Sequence, residues 1–183
     1  MLEPIAFRHR MAIDLLEIGP RQRVLEIGCG HGVATGLACA AAGNGQVVAI
    51  DRSAKMTAAA GRRNADAVAE GRLLLLTGAF EDIDLDHEFD RVFAVNVDFP
   101  RHEDRGWAQR LREVMAPGGR AVLVLDAPTV ATADRFVDAA GKTLAGEGFS
   151  VEVVREASVV AVLAVAPAAL AGDTRHEAAS RPR

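Results

Sequence analysis

The sequence predicts one doubly wound α/β domain with a seven-stranded, mostly parallel sheet, an antiparallel final strand, and helices on both faces. Three observations predict it. Apolar, β-branched runs alternate with segments of helical periodicity, and Gly/Pro clusters separate them. Such alternation is typical of parallel strands joined by crossover helices. The last two apolar runs, 149–155 and 159–166, are joined by so short a connection that they form an antiparallel pair.

The elements follow in order along the chain. Met11, Leu15 and Ile18 share one face of a first helix, which Gly19-Pro20 ends. Short apolar runs then predict strands, and the segments between them predict helices; Ser53 is the expected N-cap of the third helix. The predicted strands before the final pair are 24–27, 47–50, 73–76, 89–95 and 121–125, and the predicted helices are 4–18, 33–42, 53–69, a helix from Trp107 to a stop at Pro117-Gly118-Gly119, and 133–145.

The C-terminal residues differ from the rest. Residues 171–183 have no apolar periodicity, so we expect a disordered tail after one domain over 1–170. A chain of 183 residues suits a single core. With 4% aromatic residues and no tyrosine, that core is aliphatic, and an acid or base would have to be a histidine or a carboxyl group.

Charge and cysteine content exclude several classes of protein. The 21 basic residues against 25 acidic ones argue against a nucleic-acid-binding face. No apolar run reaches the roughly 18 residues that span a bilayer, and the N-terminus lacks the order of a secretion signal, so we expect a cytoplasmic protein without membrane contact. Cys29 and Cys39 are too few for a disulfide framework, and no metal-ligand pattern includes them, so no metal is predicted.

The glycine-rich segment after the first strand is the most informative stretch. Val24–Ile27 leads into Gly28, Gly30 and Gly32, and a helix follows. Glycine permits positive φ and lets backbone approach a ligand closely. The first turn of the helix offers unpaired N–H groups to an anion. An ordinary glycine turn and a dinucleotide loop are the alternatives, although the latter needs glycine where Val33 stands.

Asp51 closes the second strand, about 20 residues after the glycines, where a carboxylate can accept hydrogen bonds from ribose hydroxyls. Its simpler role is that of a solvated residue at a strand end. Together with the glycine loop it favours an adenosine-type ligand. The fold places such a site beyond the carboxyl ends of the strands; the candidate segments are 28–32, Asp51, 78–82 and 96–102.

The order of these motifs resembles the class I S-adenosylmethionine-dependent methyltransferases, which have a Rossmann-like sheet. The resemblance extends over roughly residues 5–166, and the Pro-Gly-Gly before a strand makes it specific, since dinucleotide enzymes do not share that feature. The matching pieces are Val24–Gly32, Val48–Ser53, Phe89–Val92 and Leu111–Arg120.

This resemblance implies S-adenosylmethionine as cofactor and assigns residues to its parts. Gly28, Cys29 and Gly30 would face the methionine part with their backbone, and Glu26 would help orient its amino group. Asp51 would hold the ribose hydroxyls. The remaining assignments are Arg52 and Met56 beside the adenine, Phe80 with its backbone N–H toward the adenine, and Asn96 near the methyl donor.

Ala79 departs from the family pattern, because family members often carry an aspartate there to bind the adenine amino group. Glu81 or Asp82 could supply the carboxylate instead. The departure also supports an alternative function, a non-catalytic relative that binds the cofactor as a sensor or partner module. A nicotinamide-dependent oxidoreductase is a second alternative.

The sequence assigns no catalytic base. His9, His31, Asp98 and His102 can reach the predicted site, but each is more simply an ordinary surface or helix-start residue. The acidic stretch over 81–104 is interpreted as solvated loops, with a negative rim for an amine acceptor as the alternative. Because little chain remains beyond the cofactor-binding fold, we expect a small-molecule methyl acceptor and, as one arrangement, a homodimer.

Overall fold

The computed structural model describes residues 5–85, 88–97 and 106–168. The expectation of a disordered tail over 171–183 and the candidates Asp98 and His102 lie outside these residues. The strands are β1 (Arg23–Ile27), β2 (Gln46–Asp51), β3 (Leu73–Thr77), β4 (Phe89–Val95), β5 (Met115–Asp126), β6 (Ser150–Glu156) and β7 (Val159–Val165). The helices are α1 (Phe7–Leu16), α2 (Val33–Ala42), α3 (Ala54–Arg63), α4 (Ala65–Ala69), α5 (Trp107–Val114) and α6 (Val130–Gly146).

All seven strands form one sheet in the order β3-β2-β1-β4-β5-β7-β6. The first five strands are parallel to one another, whereas β7 is antiparallel to both β5 and β6. The predicted doubly wound sheet with an antiparallel final strand is therefore confirmed. Strand β7 lies inside the sheet and β6 at its edge, because all seven residues of β7 pair with β5 on one side and β6 on the other.

Two apolar clusters cover the two faces of the sheet. One contains buried side chains of α5 and α6, including Trp107, Leu111 and Phe136. The other contains those of α1, α2 and α3, with Leu16 among its fully buried members. The central strands are consequently buried on both faces, as a parallel sheet between helices requires, whereas the edge strands β3 and β6 are partly exposed.

The predicted stop at Pro117-Gly118-Gly119 is wrong. Helix α5 ends at Val114, and β5 runs through the Pro-Gly-Gly from Met115 to Asp126. Met115 pairs with Phe89 and Arg120 with Arg91, so the ladder shifts register where β5 passes through the Pro-Gly-Gly. A Cβ on Gly119 would lie 2.8 Å from the Ala116 carbonyl oxygen, so glycine is needed for the chain to fold into the sheet here.

The predicted single helix over 53–69 is also wrong, because it breaks at Asn64 into α3 and α4. The Asn64 carboxamide donates to the carbonyl oxygens of Gly32 (2.9 Å) and Ala60 (3.0 Å). This side chain therefore ties α3 to the glycine loop instead of continuing a helix. Ser53 occupies the N-cap position, but its side chain makes no capping hydrogen bond.

The strand order positions the site. From β1 the chain moves to β2 and β3 on one side and later to β4 and β5 on the other. Where the winding direction reverses, the loops after β1 and β4 diverge and leave a crevice at the carboxyl ends of the strands. The described helices include none that is long and apolar enough to span a bilayer.

Candidate functional site

The loop after β1 turns sharply because three of its glycines have positive φ: 76° at Gly28, 51° at Gly30 and 75° at Gly32. The Gly28 and Cys29 N–H groups both donate to the Ile50 carbonyl oxygen, at 2.8 and 2.9 Å. The loop is thus fastened to the end of β2.

The three glycines meet different surroundings. A Cβ on Gly28 would lie 2.5 Å from Cγ2 of Val97, and one on Gly32 would lie 2.8 Å from the Ala60 Cα. A Cβ on Gly30 would meet nothing within 4 Å. Gly32 therefore serves the close packing of α2 against α3, whereas Gly30 leaves open space for a bound group.

The Asp51 carboxylate joins the loop to the start of α3. Its Oδ2 accepts the Gly30 N–H at 2.9 Å, and its Oδ1 accepts the Ser53 N–H, also at 2.9 Å. The side chain is half-buried at the end of β2. Each oxygen retains capacity for a further hydrogen bond, so the orientation is fixed while acceptors remain for hydroxyl groups.

Glu26 is a buried carboxyl group under the glycine loop, with 2% of its surface exposed. Burial raises its pKa to about 8, and the nearby Asp51 charge adds to the increase. The Thr35 hydroxyl on α2 donates to Glu26 Oε2 and opposes the increase. Glu26 is therefore mostly protonated at neutral pH when no cation is beside it.

Two neighbouring cavities occupy the crevice. The adenosine-side cavity, about 350 Å³, is lined by residues that include Ile50, Asp51, Phe80 and Glu81. The methionine-side cavity, about 300 Å³, is lined by residues that include Glu26, Gly30 and Ala34. Both cavities share Gly28, Val95 and Asn96 in their linings. They therefore meet between the ends of β1 and β4. Each cavity is named after the part of the cofactor that the family resemblance assigns to its lining residues.

The structure brings together most of the predicted site residues. Cys29 and Gly30 line the methionine-side cavity, and Arg52 and Phe80 line the adenosine-side cavity. Arg52 forms an ion pair with Glu81 at 3.5 Å across the mouth of that cavity. Met56 and Ala79 are not among the residues that line either cavity.

Asn96 lies at the junction of the two cavities with a left-handed φ of 57°, which asparagine tolerates better than most residues. Its Oδ1 accepts the Asp126 N–H at 2.9 Å, and its own N–H donates to the Val124 carbonyl oxygen at 2.8 Å. The side-chain NH₂ is consequently held in one orientation beside the cavities.

Among the candidate bases, His9 and His31 line the methionine-side cavity. Burial and the Arg8 charge lower the pKa of His9, which favours the neutral imidazole. Its Nδ1 is buried and has no hydrogen-bond partner among the described residues. A neutral histidine without an orienting carboxylate matches no acid–base pair, and we assign no base here either.

Burial makes the cysteines unreactive, as expected for small core residues. The pKa of Cys29 is raised to about 12 and that of Cys39 to about 11, chiefly by burial. The described part of the chain contains no cluster of three or more potential metal ligands.

Sequence reasoning missed two polar residues of this site. Arg8 lines the methionine-side cavity, and Thr35 hydrogen-bonds to Glu26. Val97, which lines the adenosine-side cavity, falls in the candidate segment 96–102. A hydroxyl residue early in the helix that follows the glycines is the signal that identifies Thr35. Arg8 has no such signal, because it precedes the glycine loop by a whole helix and joins the site through α1 packing.

Comparisons with known proteins agree with this geometry. Residues 24–119, just over half of the chain, match the family described as methyltransferase domain. No curated protein sequence matches significantly.

Solved structures share the fold at low sequence identity. An S-adenosylmethionine-dependent O-methyltransferase from Thermotoga maritima is 15% identical, with 93% of this chain and 69% of that chain covered and a TM-score of 0.72. The N-methyltransferase NodS from Bradyrhizobium japonicum is 19% identical, with 87% and 94% covered and a TM-score of 0.69. A candidate rRNA methylase from Clostridium thermocellum is 17% identical, with 88% and 98% covered and a TM-score of 0.69.

The family match favours methyl transfer over the nicotinamide alternative, and the spacing of the glycines agrees with it. The chain therefore belongs to the methyltransferase domain family and is an S-adenosylmethionine-dependent methyltransferase.

Proposed function

We propose that this enzyme transfers the methyl group to a small-molecule acceptor by in-line displacement, with the cofactor spanning the two cavities. One observation carries the proposal. The cavities meet at Gly28, Val95 and Asn96, with the Asp51 carboxylate on one side of the junction and the Glu26 carboxyl on the other. An elongated ligand with hydroxyl groups at one end and an amino group at the other fits that arrangement.

On the adenosine side, Asp51 would accept hydrogen bonds from the ribose hydroxyls, since its backbone partners already fix its orientation. Arg52 and the Phe80 backbone N–H would contact the adenine. Met56 would flank the adenine from α3, and Ala79 would contribute backbone alone. Phe80 itself is buried, so its ring anchors this loop in the core.

On the methionine side, the backbone of Gly28, Cys29 and Gly30 would follow the aminocarboxypropyl chain, and Glu26 would hold the amino group. The open space at Gly30 supports this fit, because a side chain there would enter the cavity. When bound, S-adenosylmethionine supplies an electrophilic methyl group on a sulfonium. The residues contribute alignment, and Asn96 would lie nearest the transfer.

The proposal of a small acceptor rests on charge. The net charge of −4, with 21 basic residues, provides little attraction for a polyanionic acceptor such as RNA. Cytoplasmic location and homodimer formation belong to this proposal as expectations from the sequence.

The ribose assignment is tested by Asp51→Ala. Loss of hydrogen bonds to a charged acceptor should weaken cofactor binding by about 1–3 kcal/mol, roughly 5- to 150-fold in Kd by calorimetric titration. Asp138→Ala, on the exposed face of α6, is the matched control and should bind as the wild type does. Unchanged affinity in the Asp51 variant would remove the assignment.

The acceptor class is tested by transfer of labelled methyl groups from the cofactor. Small amines, phenols, carboxylic acids and thiols form one panel, and ribosomal RNA and a protein extract form the other. Turnover on a small molecule supports the proposal. Turnover on RNA or protein alone contradicts it, and binding without turnover on either panel would favour the sensor alternative.

A further inference from the structure

Helix α1 is anchored differently at its two ends. At the C-terminal end, Arg120 donates to the Leu15 carbonyl oxygen at 3.1 Å and pairs with the Glu17 carboxylate at 2.9 Å. Arg91 also donates to the Glu17 carbonyl oxygen, at 3.3 Å. Cations at the last carbonyl groups of a helix satisfy acceptors that have no partner within it. This end of α1 is therefore fixed to the sheet.

The first turn of α1 has no buried side chain. Phe7 is 37% exposed, Arg10 is exposed, and Arg8 and His9 are intermediate; Met11 is the first buried residue of the helix. The buried apolar residues of α1 therefore begin at Met11. Among the described residues, this turn contacts the sheet through the ion pair from Arg8 NH1 to Asp126 Oδ2, at 3.2 Å.

Asp126, at the end of β5, joins three other segments at one point. Its Oδ2 accepts from Arg8, its Oδ1 accepts from the Ser158 hydroxyl at 2.7 Å, and its backbone N–H donates to Asn96 Oδ1 at 2.9 Å. The Ser158 carbonyl oxygen in turn accepts the Ala127 N–H at 2.9 Å. Both carboxylate oxygens are thus engaged, and the orientation of Asp126 is fixed by the turn between β6 and β7.

Arg8 and Asn96 both line the methionine-side cavity, whereas Asp126 does not. We propose that Asp126 is a positioning residue, which holds Arg8, and with it the first turn of α1, against the methionine-side cavity. It acts on a bound cofactor through Arg8 and makes no contact of its own. This inference rests on the proposed placement of the methionine part in that cavity.

The exposure of the pair makes the proposal testable. The side chains of Arg8 and Asp126 are 31% and 33% exposed, and ion pairs in such positions stabilise a fold only weakly. Variants of Asp126 are therefore expected to fold. The Asn96 contact uses the backbone N–H of Asp126, so a side-chain substitution leaves it in place.

The experiment compares ligands that fill both cavities with one that fills only the adenosine side. S-adenosylhomocysteine carries the methionine-derived chain, whereas 5′-methylthioadenosine lacks it. In Asp126→Ala, the Kd of S-adenosylhomocysteine should rise about three- to tenfold, as expected for loss of a charge-assisted contact. The Kd of 5′-methylthioadenosine should change by less than about twofold. Asp126→Asn, which removes the charge and keeps an acceptor, should give an intermediate rise.

Two further variants separate positioning from general stability. Asp134→Ala removes an ion pair with Arg155 (2.9 Å) between α6 and β6, and neither residue lines a cavity, so both Kd values should be unchanged. Arg8→Ala should raise the Kd of S-adenosylhomocysteine as Asp126→Ala does. The double variant Arg8→Ala with Asp126→Ala should bind this ligand no more weakly than either single variant. Additive losses would overturn the proposal, as would equal weakening of the two ligands.

Failure of this inference is distinguishable from failure of the proposed function. If Asp51→Ala weakens both ligands and Asp126→Ala weakens neither, the cofactor placement stands and Asp126 has no positioning role. If Asp51→Ala changes neither ligand, the placement itself is wrong.

Discussion

Binding of S-adenosylmethionine at pH 7 is expected to release a proton from Glu26. The carboxyl group is 2% exposed and its pKa is raised to about 8, mainly by burial. About nine-tenths of the unliganded protein therefore holds this proton at pH 7. An ammonium group beside Glu26 favours the ionised form, so binding lowers the pKa of Glu26 and expels the proton.

The expected dependence of cofactor affinity on pH follows from the size of the pKa shift of Glu26. Each pH unit below about 8 costs nearly tenfold in affinity, because the carboxyl group must first be deprotonated. Affinity should rise about tenfold from pH 6 to pH 7 and level off near pH 8, where an α-amino group with a pKa of about 8 begins to lose its own proton. Calorimetry at pH 7 in buffers of different ionisation enthalpy should show a net release on the order of one proton per cofactor.

Glu26→Gln is the matched variant, because glutamine keeps the size and an acceptor for the Thr35 hydroxyl. It should bind without proton release, and its affinity should not rise between pH 6 and 8. The reasoning is refuted if the wild type releases no proton at pH 7, or if the variant keeps the same pH dependence.

Two further predictions concern stability. Between pH 4.5 and about 8 the folded protein holds a proton on Glu26 that the unfolded chain has lost, so this group lowers the free energy of unfolding as pH rises. Relative to Glu26→Gln, the free energy of unfolding of the wild type should fall by about 3–4 kcal/mol between pH 5 and pH 8, as measured by urea unfolding. Unfolding free energies that vary with pH in the same way in both proteins would contradict this. Gly28→Ala places a methyl group 2.5 Å from Val97 at positive φ and should cost about 2–4 kcal/mol of unfolding free energy. In Gly30→Ala the added methyl group meets no neighbour within 4 Å, so the free energy of unfolding should fall by only about 1–2 kcal/mol, while cofactor binding is weakened. Equal losses of unfolding free energy in the two variants would show that Val97 imposes no constraint.

Local sequence determined the fold class and most element boundaries. The β-branched runs and the helical periodicity depend on neighbours a few residues apart, so they can be read along the chain. The two errors arose where a distant contact overrides local preference. Met115 joins the sheet by pairing with Phe89, and Asn64 leaves the helical path to hydrogen-bond to Gly32.

The candidate site divides in the same way. The sequence by itself determined the glycine loop and the carboxylate at the end of β2, because each comes directly after a predicted strand. The order of these motifs along the chain then gave the family resemblance. Tertiary structure alone decided that Thr35 bonds to Glu26, that burial raises the pKa of that carboxyl, and that Asp126 meets Arg8 across 118 positions of the chain. Burial and long-range polar contacts depend on how helices pack over the sheet, and the spacing of residues along the sequence does not predict that packing.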